Sequence, residues 1–358
     1  MSEWISDNKK INDRIVIKRR SKIFMKRILD EIAYFHILNI IKKRPLDINI
    51  ETINMCPLKC AFCCNRVYNR ESIVMDNKLF EDIIKQYCDM GGGALALSSM
   101  QSDFFSDPLL MDRMRIIKKY KKKYPKKLWV YVTSPLISLK KYSDKELRYI
   151  LHLFDCMQIS VEGYDRESYQ NMAGINGFDV VKEQLERVRE IMEKNSLTIR
   201  IDICFRTYNK EKLKASKIYK EMKQVFNIYD IKDTFFSWFG TIKQEDLPRG
   251  AKVIFKYNDR KKVNCVNANV SLTVMADGKV VGCGCIDWLG KYIIGDCRKN
   301  TLEEIWRSPR AVKFRTAFEK GKLPSICHEC GLYSPITNMK NKKLLNYTPT
   351  NGLFYLQK

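Results

Sequence analysis

The sequence contains no apolar run long enough to cross a membrane. Its longest strongly apolar stretch, IAYFHILNII at residues 32–41, falls well short of the roughly 20 residues that a spanning helix needs. The amino terminus, MSEWISDNKK, has neither an apolar h-region nor a small-residue cleavage site, so no signal peptide is expected. These absences lead us to expect a cytoplasmic protein. Acid is scarce, with 41 Asp and Glu against 65 Lys and Arg, a formal charge of +24. Histidine is scarcer still, with three, and His36 and His152 read as ordinary residues of predicted helices. Low-complexity tracts and collagen-like repeats are missing too. At 45% hydrophobic and 30% charged residues over 358 positions, the composition is that of a globular chain with a large core and an appendage.

What the chain has in quantity is cysteine, 13 in all. A disulfide framework belongs to short secreted domains and pairs its thiols, so an odd number in a long chain with no sign of secretion points to metal instead. Cys56, Cys60, Cys63 and Cys64 form one group. Cys265, Cys283, Cys285, Cys297, Cys327 and Cys330 form a second. Cys88, Cys156 and Cys204 stand alone in or beside apolar stretches and read as small buried hydrophobes. The positive charge favours anionic partners such as nucleic acid, a membrane surface or phosphorylated metabolites. It is spread out, however. Its densest runs are IKRR at 17–20 and KKYKKKYPKK at 118–127, the latter the solvated end of a helix that stops before Pro125.

Apolar residues Phe24, Ile28, Ile32, Phe35, Leu38 and Ile41 recur at helical spacing. They predict an amphipathic lead-in helix over 22–42, packed on the main body or lying on a membrane surface. Strand-like and helix-like segments then alternate. The strands are LDINIE (46–51), ALALS (94–98), LWVYVT (128–133), CMQISVEG (156–163), LTIRIDICF (197–205) and DTFFSWF (233–239). Helical patterns fill 77–90, 107–124, 143–154, 178–195 and 209–226. Six such repeats predict an α/β fold, a parallel sheet curling into a partial (β/α)6 barrel with its active site at the carboxyl ends of the strands. The expected division is a helical lead-in at 1–45, the barrel at 46–240, a small cysteine-bearing β-hairpin/α extension at 241–335 and a tail at 336–358.

Cys56-x-x-x-Cys60-x-x-Cys63 falls in the loop after the first strand. Three thiolates from one tight loop can hold three corners of a cubane iron–sulfur cluster and leave the fourth iron open to a small molecule. A structural zinc site wants four ligands and a closed shell, and no fourth ligand lies near this loop in sequence. Cys64 reads as a bystander.

In this loop the chain resembles the radical S-adenosylmethionine (radical SAM) enzymes, and the resemblance runs over about 46–240. It implies a [4Fe-4S] cluster on Cys56, Cys60 and Cys63 whose open iron chelates S-adenosylmethionine. It further implies reductive cleavage to a 5′-deoxyadenosyl radical that abstracts a substrate hydrogen. Phe62 matches the family's adenine-contacting aromatic. The family's Gly-Gly-Glu segment is represented only by Gly91-Gly92-Gly93, shifted and without the Glu. These glycines are candidates for cofactor contact or simply a helix stop, and Ser98 or Asp103 are substitutes for the acid. ISVEG resembles the family's Ile-Ser-Xaa-Asp-Gly, which makes Ser160 and Glu162 candidate cofactor contacts. Arg206 is a candidate partner for the methionyl carboxylate.

The second cysteine group surrounds NVSLTVMADGKVVGCGC, two strand-like runs joined at Asp277-Gly278, a good hairpin turn. IIGDC, a capped helix and Cys327-His328-Glu329-Cys330 follow. Alone this reads as a metal-stapled unit, a zinc ribbon among the options. Beside the barrel it resembles the SPASM/twitch extension of radical SAM enzymes. That implies an auxiliary [4Fe-4S] cluster on Cys265, Cys283, Cys327 and Cys330, with Cys285 and Cys297 spare and His328 a spacer. The expected function is a radical modification, such as an oxidation, of a small molecule (a sugar or amino sugar) or a peptide. The expected partner is an external electron donor such as flavodoxin or ferredoxin. An RNA-modifying relative and a non-enzymatic zinc protein that binds nucleic acid are the alternatives. Nothing in the sequence names a catalytic acid or base.

Overall fold

The computed structural model describes residues 31–67, 71–97, 102–238, 240–254, 263–284, 287–328 and 330–341, Ala33 excepted. Six parallel strands lie side by side in chain order: β1 (Asp47–Ile50), β2 (Gly93–Ala96), β3 (Leu128–Ser134), β4 (Cys156–Glu162), β5 (Arg200–Arg206) and β6 (Asn227–Lys232). Among the described residues the sheet does not close, and β6 forms one edge. β7 (Thr234–Phe236) and β8 (Lys252–Ile254) make a separate parallel pair. β9 (Ser271–Val274), β10 (Lys279–Val281) and β11 (Ile293–Asp296) extend the main sheet beyond β1. β9 pairs in parallel with β1, and the antiparallel turn to β10 carries Gly278 at φ +91. The C-terminal hairpin therefore shares the barrel's sheet.

Strand alternation separates two chemistries. Along β4, Met157, Ile159 and Val161 pack into the main core with helix residues such as Leu147, Ile150, Leu185 and Val188. Cys156, Gln158, Ser160 and Glu162 point to the other face, because successive side chains of a strand alternate. That inner face is polar. Tyr131 Oη donates to Asp47 at 3.1 Å and Thr133 to Gln158 at 3.3 Å. The outer helices are set by caps. Asp76 accepts from Leu79 N at 2.7 Å, starting Asn77–Asp89, and Ser143 and Glu146 form a capping box at Asp144–Leu153, each satisfying otherwise orphaned backbone donors.

Several expectations need correction. The sixth barrel strand is Asn227–Lys232, not DTFFSWF. As an edge strand it is only half-buried and carries Asp230 and Lys232, so the more apolar stretch next to it draws the reading away. The helix expected over 209–226 is two, Lys210–Ala215 and Lys217–Val225, divided at Ser216, whose Oγ caps the second. A further helix, Arg166–Ala173, follows β4. The lead-in helix, described over 31–43, buries Tyr34, Ile37 and Ile41 against Leu46, Val266, Val270, Ile336 and Met339. Ile32 and Phe35 are each 59% exposed. The true stripe is thus offset from the expected one and faces the C-terminal extension; Phe24 and Ile28 lie outside the described residues. Cys204 is buried but joins none of the apolar clusters that take Cys88 and Cys156. It sits on the polar inner face between Asp202 and Arg206.

Candidate active site

The cysteine loop leaves the carboxyl end of β1 and is held on several sides. Lys59 N donates to Ala173 O at 3.0 Å and Ala61 N to Met172 O at 2.9 Å, both at the end of helix Arg166–Ala173. Trp238 Nε1 donates to Phe62 O at 2.9 Å. Asp103 N donates to Met55 O at 2.9 Å, and within the loop Cys63 N turns back to Cys60 O at 3.0 Å. Cys56 and Cys63 are half-buried and Cys60 is buried. Burial pushes the Cys56 thiol up, and Asp103 adds to the effect. Cys60 is pushed up by burial, then by Glu162, Cys63 and Cys56. Cys63 is held down, chiefly by a hydrogen bond from the Cys64 thiol, against its own burial.

Three strand-end groups meet this loop. Arg206, ending β5, donates to Glu162 Oε1 of β4 at 2.9 Å, and its guanidinium lies 5.4 Å from the centre of the Phe62 ring. Burial raises the Glu162 carboxyl and Arg206 opposes it. Burial works against the Arg206 charge, but Cys204 and Glu162 outweigh it. Phe62 stacks on Phe235, with ring centres 4.4 Å apart at 16°. Asp103 is fully buried beyond β2; its Oδ1 accepts from Ser134 Oγ at 2.8 Å, and burial raises its pKa.

Three buried polar atoms here have no hydrogen-bond partner: Asp103 Oδ2, Glu162 Oε2 and Tyr169 Oη. Burial is the largest cause raising the Tyr169 hydroxyl, followed by Glu162, Cys60 and Cys56, so it faces the same space. Orphaned buried polar atoms cost about 1–3 kcal/mol each. Three beside one loop mark a space for a polar ligand. Among the described residues no three His, Cys, Asp or Glu side chains are arranged around one metal ion. A cubane instead takes each thiolate on a different iron, which suits three thiols distributed along a loop.

The structure places Phe62, Glu162 and Arg206 next to one another, and Ser160 lies buried on the inner face of β4, in register with Cys204. The glycines are not part of this group. Gly91, Gly92 and Gly93 stand at the amino end of β2, the far end of the sheet from the loop. A Cβ on Gly92 would lie 2.0 Å from Lys127 O, and on Gly93 2.3 Å from Leu46 O. They end a helix and admit close backbone, and are withdrawn as cofactor contacts. Ser98 lies outside the described residues. Sequence reasoning missed Tyr169, Phe235 and Trp238, which no local motif marks.

In the C-terminal region Cys265, Cys283, Cys327 and Cys330 line one pocket with Asn267, Ala268, Phe314, Phe318 and Tyr333. Cys265 precedes helix Val266–Val270 and is pushed up by burial and by Cys283. Cys297 is half-buried after β11 and does not line the pocket. Cys285 is outside the described residues. His328 is exposed.

Residues 50–217 match the model of the radical SAM superfamily. The chain belongs to this superfamily. Residues 265–331 match the SPASM model, an iron-sulfur cluster-binding domain. This radical SAM chain therefore uses S-adenosylmethionine and iron–sulfur clusters, and its class is that of enzymes working by radical chemistry. No curated protein matches the sequence. Among solved structures, BtrN in complex with AdoMet and 2-DOIA is 16% identical, with 80% of this chain and 92% of that one covered and a TM-score of 0.52. SuiB of Streptococcus suis, bound to precursor peptide SuiA, is 14% identical over 84% and 74%, with a TM-score of 0.54. Hexahistidine-tagged anSMEcpe with bound AdoMet is 16% identical over 80% and 83%, with a TM-score of 0.53. Likeness at this identity is likeness of fold. No helix among the described residues is long and apolar enough to cross a membrane.

Proposed function

We propose that Cys56, Cys60 and Cys63 hold a [4Fe-4S] cluster with one open iron, and that S-adenosylmethionine binds between this loop and the ends of β2, β4 and β5. The observation that carries the reading is the pair of unpartnered buried carboxylate atoms about the cysteine loop, Asp103 Oδ2 beyond β2 and Glu162 Oε2 beside the Arg206 guanidinium. A zwitterionic amino-acid group needs both signs of charge. Arg206 offers donors to a carboxylate, and Asp103 offers an acceptor to an ammonium. Phe62, backed by Phe235, presents a flat face to a purine. Ser160 supplies a further polar group on the wall. When bound, the cluster supplies the electron that cleaves the sulfonium bond and so begins hydrogen abstraction from the substrate.

Cys265, Cys283, Cys327 and Cys330 hold a second [4Fe-4S] cluster in this reading, fully ligated and walled by Phe314 and Phe318, suited to passing electrons rather than binding substrate. The substrate is a small molecule, such as a sugar or amino sugar, or a peptide. Support for the peptide comes from SuiB, whose fold this chain shares and which is bound to a precursor peptide; BtrN, bound to 2-DOIA, supports the small molecule. An external one-electron donor such as flavodoxin or ferredoxin completes the cycle.

The test is anaerobic reconstitution, iron and sulfide analysis, and reduction in the presence of S-adenosylmethionine. About eight irons per chain with release of 5′-deoxyadenosine are expected. Zinc in place of iron, with no 5′-deoxyadenosine, would sink the reading.

A further inference from the structure

The last carbonyls of a helix have no partners within it. At the end of Arg166–Ala173 two of them are taken by the cysteine loop. Ala173 O accepts from Lys59 N at 3.0 Å and Met172 O from Ala61 N at 2.9 Å. These two amides bracket Cys60. The helix stops on Gly174, whose φ of 73° and ψ of 10° are left-handed and whose N–H returns to Gln170 O at 2.9 Å. A Cβ built on Gly174 would stand 2.5 Å from Lys59 O and 3.0 Å from its carbonyl carbon. Backbone meets backbone there, and neither side has a flexible group that can yield.

We propose that the C-terminal turn of this helix is the template that sets the Cys60 corner of the loop, with Gly174 as its positioning residue. The inference rests on the reading of the loop as a cluster site. It adds that the loop takes its cluster-holding shape from the protein before iron arrives. A side chain at 174 must displace the Lys59 carbonyl, and Cys60 moves with it. Gly321 offers the matching control. Its φ is 63°, equally left-handed, yet a Cβ there meets nothing within 4 Å. Gly321→Ala carries the same backbone strain without the contact.

The experiment compares full-length wild type, Gly174→Ala and Gly321→Ala after anaerobic reconstitution, by iron content and by the electron-paramagnetic signal that S-adenosylmethionine perturbs. Hydrogen exchange over residues 57–63 is measured on the same chains before iron is added. Gly174→Ala is expected to keep about half the wild-type iron and lose the S-adenosylmethionine-sensitive signal, while Gly321→Ala matches wild type. The Lys59 and Ala61 amides of iron-free wild type are expected to exchange at least about tenfold more slowly than a free loop, and to lose that protection in Gly174→Ala. Wild-type iron and signal in Gly174→Ala would overturn the proposal, as would equal iron loss in Gly321→Ala. If Gly174→Ala does not fold, the wild-type exchange decides, and free-loop rates there overturn the template. A wild type with no iron at the loop is a failure of the cluster reading, and the exchange result still stands apart from it.

Discussion

Cys56, Cys60 and Cys63 come from one short loop, whereas Cys265, Cys283, Cys327 and Cys330 are gathered from across the C-terminal region. The first group stands among charged and polar atoms, with Glu162, Arg206 and Asp103 about it. The second is walled by Phe314, Phe318 and Tyr333. Tied by backbone hydrogen bonds to the end of helix Arg166–Ala173, the loop is expected to keep its shape without metal. Cys265 at a helix start, Cys283 just past β10, and Cys327 and Cys330 in and just after the short helix Ser325–His328 are brought together only when the region has folded, and metal binding then adds to folding free energy. On the function proposed above, the difference assigns the loop site to exchange of a polar ligand and the second to closure.

Removing thiols breaks the comparison most severely. In Cys56→Ala/Cys60→Ala/Cys63→Ala, iron is expected to fall from about eight to about four per chain, and 5′-deoxyadenosine to background, with the melting temperature close to wild type. In Cys327→Ala/Cys330→Ala, iron is again expected to halve, but here the melting temperature drops and S-adenosylmethionine cleavage persists. Iron analysis, thermal melts and chromatography of 5′-deoxyadenosine read all three. Equal destabilisation by both sets would erase the distinction.

Wall substitutions sharpen it next. Arg206→Met removes the charge beside the loop and is expected to weaken S-adenosylmethionine binding by about 10- to 100-fold, or about 1.4–2.8 kcal/mol, with iron retained. Phe318→Ala at the second pocket empties a buried aromatic site and costs about 3–5 kcal/mol of stability, with S-adenosylmethionine affinity unchanged. Isothermal titration and denaturant melts separate the two.

What the sequence made legible follows the same divide. The CxxxCxxC loop could be read because its thiols are neighbours in the chain, and β1 to β5 because their apolar runs are bounded by capped helices such as the one Ser143 starts. The edge strand Asn227–Lys232 could not, since it is only half-buried and its apolar Ile228, Tyr229 and Ile231 do not alternate with polar residues. Phe235 and Trp238 reach Phe62 across some 170 intervening residues, and no spacing rule connects them. The helix Arg166–Ala173 left faint signals, Asp165 three before Ser168 as a capping box and Gly174 as a stop, but its polar sequence hid it. Gly91-Gly92-Gly93 misled for a physical reason: a glycine that admits a ligand and one that admits a neighbouring carbonyl look alike in sequence.

A third prediction concerns the polar inner face below the loop. Asp47 at the start of β1 is buried, its Oδ1 unpartnered, and burial raises its pKa to about 7 against a smaller opposing bond from Tyr131. Its folded pKa lies above an unfolded value near about 3.9. The stability it contributes is therefore full below about pH 4 and is lost as pH rises through about 7. Asp47→Asn should be more stable than wild type by about 1–3 kcal/mol at pH 8, the gap closing by pH 4 to 5. Urea melts across this range check it, and parallel curves for the two proteins would mean that Asp47 is ionised in the folded state throughout.

The smallest effect isolates how the loop's aromatic member is held. Trp238 Nε1–H donates to Phe62 O, and Phe235 covers the Phe62 ring. Trp238→Phe keeps most of the apolar surface and deletes the donor, so the cost should be that of one hydrogen bond, about 1 kcal/mol. Since Phe62 lies between Ala61, tied to Met172 O, and Cys63, tied to Cys60 O, the loop has other anchors and should keep its iron. The loss should fall on the ring, which is freer to leave its stack on Phe235. S-adenosylmethionine affinity is then expected to drop by about threefold to tenfold, with iron content and second-site spectra at wild-type values. A larger loss that takes iron with it would make Trp238 a support of the thiols themselves and shift the weight of the loop's rigidity from the helix end to the β7 side.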